Sequence, residues 1–138
     1  MGLVPIYGLD TSVILRLLTG EPQDQALAAK TFVEQAAARG DRLVVSDLAV
    51  AEVYFALHTH FKVPKTDAPR VILRLFEDRL IEPEDGGVAL IALNAVITSS
   101  RRLGFVDHMI HARYSTFTAT MVSFERAAKR LNNAIVLE

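Results

Sequence analysis

No cysteine occurs among the 138 residues, which excludes disulfides and thiolate zinc sites and fits a reducing cytoplasm, the compartment expected for this chain. No apolar run reaches the ~20 residues a membrane span needs. The most apolar window, Val88 to Ile97, is interrupted by Asn94 and reads as a buried helix. Met1-Gly2-Leu3-Val4-Pro5 has no basic segment before an apolar stretch, so no secretory signal is expected. Neither sign of charge dominates: fifteen Lys and Arg stand against sixteen Asp and Glu, a formal net charge of −1. With a pI near 6.4 this is no nucleic-acid-binding signature in itself, although a local basic rim around an acidic centre remains compatible with it. A G-x-x-x-x-G-K phosphate loop and a G-x-S-x-G serine elbow are missing, as are internal repeats, low-complexity segments and linkers. One domain over residues 1–138 is expected, long enough to bury a core without staples.

What is present is an alternation of short apolar runs with helical patterns. Val4 to Leu9 reads as a buried strand that delivers Asp10 to a helix carrying Val13, Leu17 and Leu18. After Thr19-Gly20-Glu21-Pro22, a second helix places Ala29, Phe32, Val33 and Ala36 on one face and stops at Gly40. Leu43-Val44-Val45 is a second strand, and Ser46-Asp47 caps a helix from Leu48 to His60, ended by Val63-Pro64. Thr66-Asp67 caps a helix with Val71, Ile72 and Leu75. A very short strand at Leu80-Ile81 then precedes the turn Glu82 to Gly87. A long apolar helix is expected to reach Arg101-Arg102, with Gly104 as its stop, followed by a helix from Phe105. Thr118 to Val122 reads as a strand, Ser123-Phe124-Glu125 leads into a short basic helix, and Ala134 to Leu137 is the last strand. Without hairpin signals, this order predicts an α/β fold: a three-layer α/β/α arrangement around one short central parallel sheet of about four or five strands.

Four acids sit at, or about a turn beyond, the start of an element: Asp10, Glu52, Asp107 and Glu125. An acid at a strand's carboxyl end stands where open α/β sheets bind ligands. Each also has a plainer explanation. Asp10 and Asp107 serve equally as helix N-caps, worth ~1 kcal/mol each. Glu125 complements a helix dipole. Glu52, flanked at one turn by Leu48, Ala49, Phe55 and Ala56, reads as a carboxylate on an apolar face, costly unless paired, for instance with Arg113, protonated, or bound to a metal. Asp107 and His111 have the spacing of two zinc ligands, but no further histidine motif completes that site.

As an ordered set the four acids carry a resemblance. Leu9 to Arg16 (Leu-Asp-Thr-Ser-Val-Ile-Leu-Arg), Ser46 to Glu52, Gly104 to Ile110 and Met121 to Glu125 resemble the four acidic motifs of the PIN-domain ribonucleases, especially VapC-type toxins of toxin-antitoxin pairs, in order along the whole chain. Two positions depart from that pattern: Glu125 stands where the family usually has aspartate, and His108 where a small apolar residue is common.

The resemblance implies a metal-dependent endoribonuclease that cuts RNA to leave a 5′-phosphate, with Mg²⁺ or Mn²⁺ held by oxygen ligands. It implies Asp10 and Asp107 on the better-occupied ion, with Glu52 ligating directly or through water. Glu125 and Ser123, with Thr11 or Ser12, would complete a second position or orient the water. Arg16, Arg113, Arg126, Lys129 and Arg130 are candidate phosphate contacts. Implied partners are RNA, an antitoxin protein and a second copy of the chain. The homodimer is expected to form through Val50, Tyr54, Leu57 and Phe61 on one helix and Val71, Ile72, Leu75 and Phe76 on the next. Glu125 also keeps open an alternative, a PIN-fold binding module without turnover.

Overall fold

The computed structural model describes residues 3–99 and 103–138, which fall into two compact units, residues 1–86 and 87–138. The first unit is built on three parallel strands in the order β1 (Ile6–Gly8), β2 (Arg42–Val45), β3 (Glu82–Pro83). Leu43 and Val45 of the central β2 are buried, as expected of a β-branched, apolar run covered on its faces. Ile6 pairs with Arg42 and Gly8 with Val44, while Val44 and Val45 pair with Glu82 and Pro83 on the other side. β1 is shorter than the Val4 to Leu9 expected because Pro5 has no N–H to give. The pairing nevertheless continues past both ends, the Arg42 N–H donating to Pro5 O and the Leu9 N–H to Val44 O, each at 2.9 Å.

Helices α1 (Thr11–Thr19), α2 (Gln23–Ala38), α3 (Asp47–Thr59) and α4 (Ala68–Leu73) connect and cover these strands, and a 3₁₀ turn, Arg74–Phe76, follows α4. α1 ends at Gly20, whose φ of 72° is the left-handed cap that an L side chain resists. α3 begins under Ser46, whose Oγ accepts the Ala49 N–H at 3.1 Å. It buries Val50, Val53, Tyr54 and Leu57, and Ile72, Leu75 and Phe76 are buried as well. α3 packs against α1 and α4. A fully buried leucine such as Leu57 contributes about 2 kcal/mol. Most of the apolar residues expected to meet a second copy are thus consumed inside one chain, with Phe61 and Val71 half-buried, which corrects the basis of the expected dimer.

β3 lies two residues beyond the Leu80-Ile81 strand expected, inside the segment that reads as a turn. The stabilisation is non-local: Arg42 Nε donates to Glu82 Oε1 at 2.8 Å, and its Nη2 reaches both Glu82 and Asp85. Proline is tolerated at position 83 because β3 has a ladder partner on one side only, β2.

In the second unit, α5 (Ala89–Thr98) packs against α6 (Phe105–Ser115), and β4 (Met121–Ser123) pairs in parallel with β5 (Ala134–Val136) across a 3₁₀ turn, Arg126–Arg130, that replaces the basic helix expected there. β4 starts three residues later than expected, Thr118 having a left-handed φ of 58°. Ser99 is already extended, and Arg101-Arg102, the expected end of α5, lie outside the described residues. The expectation of one central sheet of four or five strands is corrected: among the described residues five parallel strands form, but as a sheet of three and a sheet of two. Strands of two to four residues give few ladder pairs each, so backbone pairing extends only from β2 to its two neighbours and from β4 to β5.

Candidate active site

The register of the first sheet fixes where its acids stand. Gly8 lies opposite Val44 and Val45 opposite Pro83, so Asp10, Ser46 and Glu84 leave the sheet at the same level of its carboxyl edge. Asp10 is the N-cap of α1. Its Oδ1 accepts the Thr11 N–H at 2.8 Å, and its backbone oxygen accepts from Val13 and Ile14, each at 3.1 Å. No donor among the described residues occupies Oδ2, and the residue is exposed. Beside it the Thr11 Oγ1 is buried without a hydrogen-bond partner among the described residues. Ser12 is exposed at the start of the same helix.

Glu52, in the second turn of α3, is exposed. That corrects the reading of a carboxylate on a costly apolar face: the buried side of α3 is formed by Val50, Val53, Tyr54 and Leu57, and Glu52 stands on the exposed side. Its carboxylate makes no hydrogen bond or ion pair with the described residues. Two further acids at this edge were not singled out from the sequence. Asp47 opens α3, and Glu84 Oε2 accepts the Asp47 N–H at 2.7 Å, tying β3 to the start of the helix that carries Glu52. The only local signal was the acidic turn Glu82-Pro83-Glu84-Asp85, which reads equally well as a solvated loop.

The other two acids belong to the second unit. Asp107 is half-buried in the first turn of α6, its Oδ2 facing the Gly104 N–H at 3.4 Å. Gly104, and not Asp107, is the N-cap. Glu125 is exposed, and its N–H donates to Ser123 Oγ at 2.9 Å, which brings the fourth acid and its supporting hydroxyl together. Asp10 and Glu52 thus belong to the first unit, and Asp107, Ser123 and Glu125 to the second. Within either unit, among the described residues, no cluster of three or more His, Asp or Glu is arranged to hold a metal. His111, the other half of the zinc reading, is occupied by the Asn132 carbonyl at 2.6 Å from Nε2.

Of the expected phosphate contacts, Arg16 donates through Nε to Gln25 Oε1 at 2.8 Å. Arg113 lies over the Phe117 ring, 5.8 Å from its centroid. Lys129 is 4.0 Å from Glu138, and Arg126 and Arg130 are exposed.

The oxygen donors suit a hard divalent cation. Mg²⁺ is typically held by one or two carboxylates while keeping several waters, and Asp10 Oδ2, Glu52 and the unsatisfied Thr11 Oγ1 are donors of that class in the first unit. Residues 7–133 match the family described as PIN domain, nearly the whole chain. No curated protein matches it in sequence.

Proposed function

The chain belongs to the PIN-domain family, whose members are in general metal-dependent nucleases, and from that premise we propose that it is an endoribonuclease and the toxin half of a toxin-antitoxin pair. The observation that carries this reading is Asp10: the first acid of the family's pattern stands at the carboxyl edge of a parallel sheet, with one carboxylate oxygen engaged in the helix cap and the other without a donor among the described residues.

In this reading the acids of the family pattern are the residues that would hold Mg²⁺ or Mn²⁺, Asp10 and Glu52 from the first unit and Asp107 from the second, with Glu125 and Ser123 supporting a second position or orienting water. The cation supplies positive charge at the phosphate and a more acidic bound water. The chain's own part is to fix those oxygens. The α1 cap orients Asp10, Glu84 anchors the start of α3 and so Glu52, and the Ser123 hydroxyl holds the backbone at Glu125. Arg16, Arg126, Lys129 and Arg130 offset phosphate charge. Glu125, one methylene longer than aspartate, bends back or acts through water. In this reading residues 1–138 act as one PIN-like domain, and the cytoplasm is where it acts. Among the described residues no helix is long and apolar enough to cross a membrane.

The homodimer proposed for this class requires a face other than the buried one. On α3 the exposed apolar residues are Leu48 and Phe55, at 80% and 52%, one turn on either side of Glu52. A dimer through them sets the partner beside the acidic edge.

The test is cleavage of single-stranded RNA in Mn²⁺, with 5′-phosphate ends and loss of activity in Asp10→Asn and Glu52→Gln. Metal-independent RNA binding without turnover supports the binding-module reading instead.

A further inference from the structure

A second feature adjoins Asp10 within the first unit. Between β1, α1 and α2 lies an open cleft of about 620 Å³, within the usual size range of small-ligand sites, and Asp10 forms one end of it. Its walls are largely apolar. Tyr7 and Phe32 meet there edge to face, ring centroids 5.2 Å apart, and Phe32 remains 41% exposed although it sits on the helix face expected to be buried. The polar groups are few and fixed. Arg16 and Gln25 both line the cleft, and the bond from Arg16 Nε to Gln25 Oε1 sets the guanidinium plane. With that amide oxygen used as acceptor, the Gln25 NH₂ and the Arg16 Nη groups are donors with no acceptor among the described residues.

We propose that this cleft is a nucleobase subsite, seating the RNA base next to the phosphate bound at Asp10, with Phe32 and Tyr7 as its apolar platform and Arg16 and Gln25 reading the base edge. This rests on the nuclease reading for the position of the phosphate. Unstacked RNA bases are recognised by stacking on aromatic rings and by hydrogen bonds to their edges, and the cleft supplies both within one wall. A flat apolar ring fills the space beside Phe32, while the charged end at Asp10 disfavours an acidic ligand there without a cation. Two donors side by side select an edge with two acceptors. Guanine offers O6 and N7, whereas adenine replaces the first by an amino group. Guanine is therefore the preferred occupant.

The experiment measures binding of labelled UUGUUU and UUAUUU hexaribonucleotides to the full chain by fluorescence anisotropy, in Ca²⁺ and in EDTA. Wild type is expected to bind the guanine hexamer more tightly. Phe32→Ala weakens it about tenfold, the scale of one lost base stack. Phe32→Tyr restores it, and Gln25→Leu equalises the two hexamers. Circular dichroism confirms that each variant is folded. Equal affinity of wild type and Phe32→Ala overturns the subsite, as does equal binding of the two hexamers by wild type or no binding in either buffer. The nuclease reading fails separately: hexamers that stay uncut in Mn²⁺ while Phe32→Ala still weakens them would leave the subsite standing and remove the enzyme.

Discussion

Asp10 performs two tasks with one carboxylate, and they separate by substitution. Asparagine caps a helix as well as aspartate does, so Asp10→Asn keeps the bond to the Thr11 N–H and costs well under ~1 kcal/mol of stability. It removes the charge that a hard cation requires. Wild-type protein is expected to be stabilised in Mn²⁺, by about 2.7 kcal/mol when the metal stands at a hundred times its Kd. Thermal melts of Asp10→Asn should show no such shift, together with loss of RNA cleavage. Equal metal shifts for both proteins would remove Asp10 from the ligand set. Tyr54 gives a second prediction at this scale. Burial raises its hydroxyl above the ordinary tyrosine value, since the phenolate is disfavoured away from water. The folded state therefore holds this proton more tightly than the unfolded one. The resulting stabilisation is complete below the unfolded value of ~10 and is lost as pH climbs through the raised folded value. Urea unfolding on the alkaline side should show wild type losing stability more steeply than Tyr54→Phe.

Among the elements, α3 carries Glu52 and is held at its start by two different side chains. Ser46 is a local cap, with Oγ on the Ala49 N–H, whereas Glu84 reaches the Asp47 N–H from just beyond β3, 37 residues further on. Glu84→Ala is expected to cost about 1.5 kcal/mol, the scale of a hydrogen bond to a charged group. It should also lower RNA cleavage by loosening the helix under Glu52. A variant with wild-type stability and wild-type cleavage would remove that positioning role. The same helix shows what was legible in the sequence. Its strand-to-helix junction is written locally, in Leu43-Val44-Val45 followed by Ser46-Asp47, and so are the junctions at Asp10 and Gly104. β3 was not legible, because Glu82 pairs with Arg42 across 40 residues and Pro83 alone argues against a strand. The burial of Glu52 was misjudged for a related reason. α3 is apolar on more than one side, and sequence spacing does not say which side meets the sheet. Asp10 and Glu52 were found by motif order, while Asp47 and Glu84 lay hidden in segments whose capping and turn signals explained them fully.

For the whole molecule, the same ambiguity decides the oligomer test. Tyr54 is 7% exposed, so Tyr54→Glu buries a charge and should abolish the cooperative unfolding transition instead of producing folded monomers. Phe55→Glu, on the exposed side, should leave the fold intact and shift sedimentation from dimer to monomer if α3 is the contact. A folded Tyr54→Glu monomer would restore the buried face as the subunit boundary. The ladders described above carry a further consequence, for the order in which the chain assembles. Ile6 and Arg42 are 36 residues apart and Val44 and Glu82 are 38 apart, while Met121 and Ala134 are only 13 apart. Closing the longer loops costs about 1 kcal/mol more conformational entropy than closing the shorter one, before any pairing compensates. Helices form locally on a microsecond scale, and parallel pairing has to wait for closure. Pulse-labelled hydrogen exchange during refolding should therefore find the amides between β4 and β5 protected before those between β1 and β2, so that the strand whose end presents Asp10 is among the last to lock.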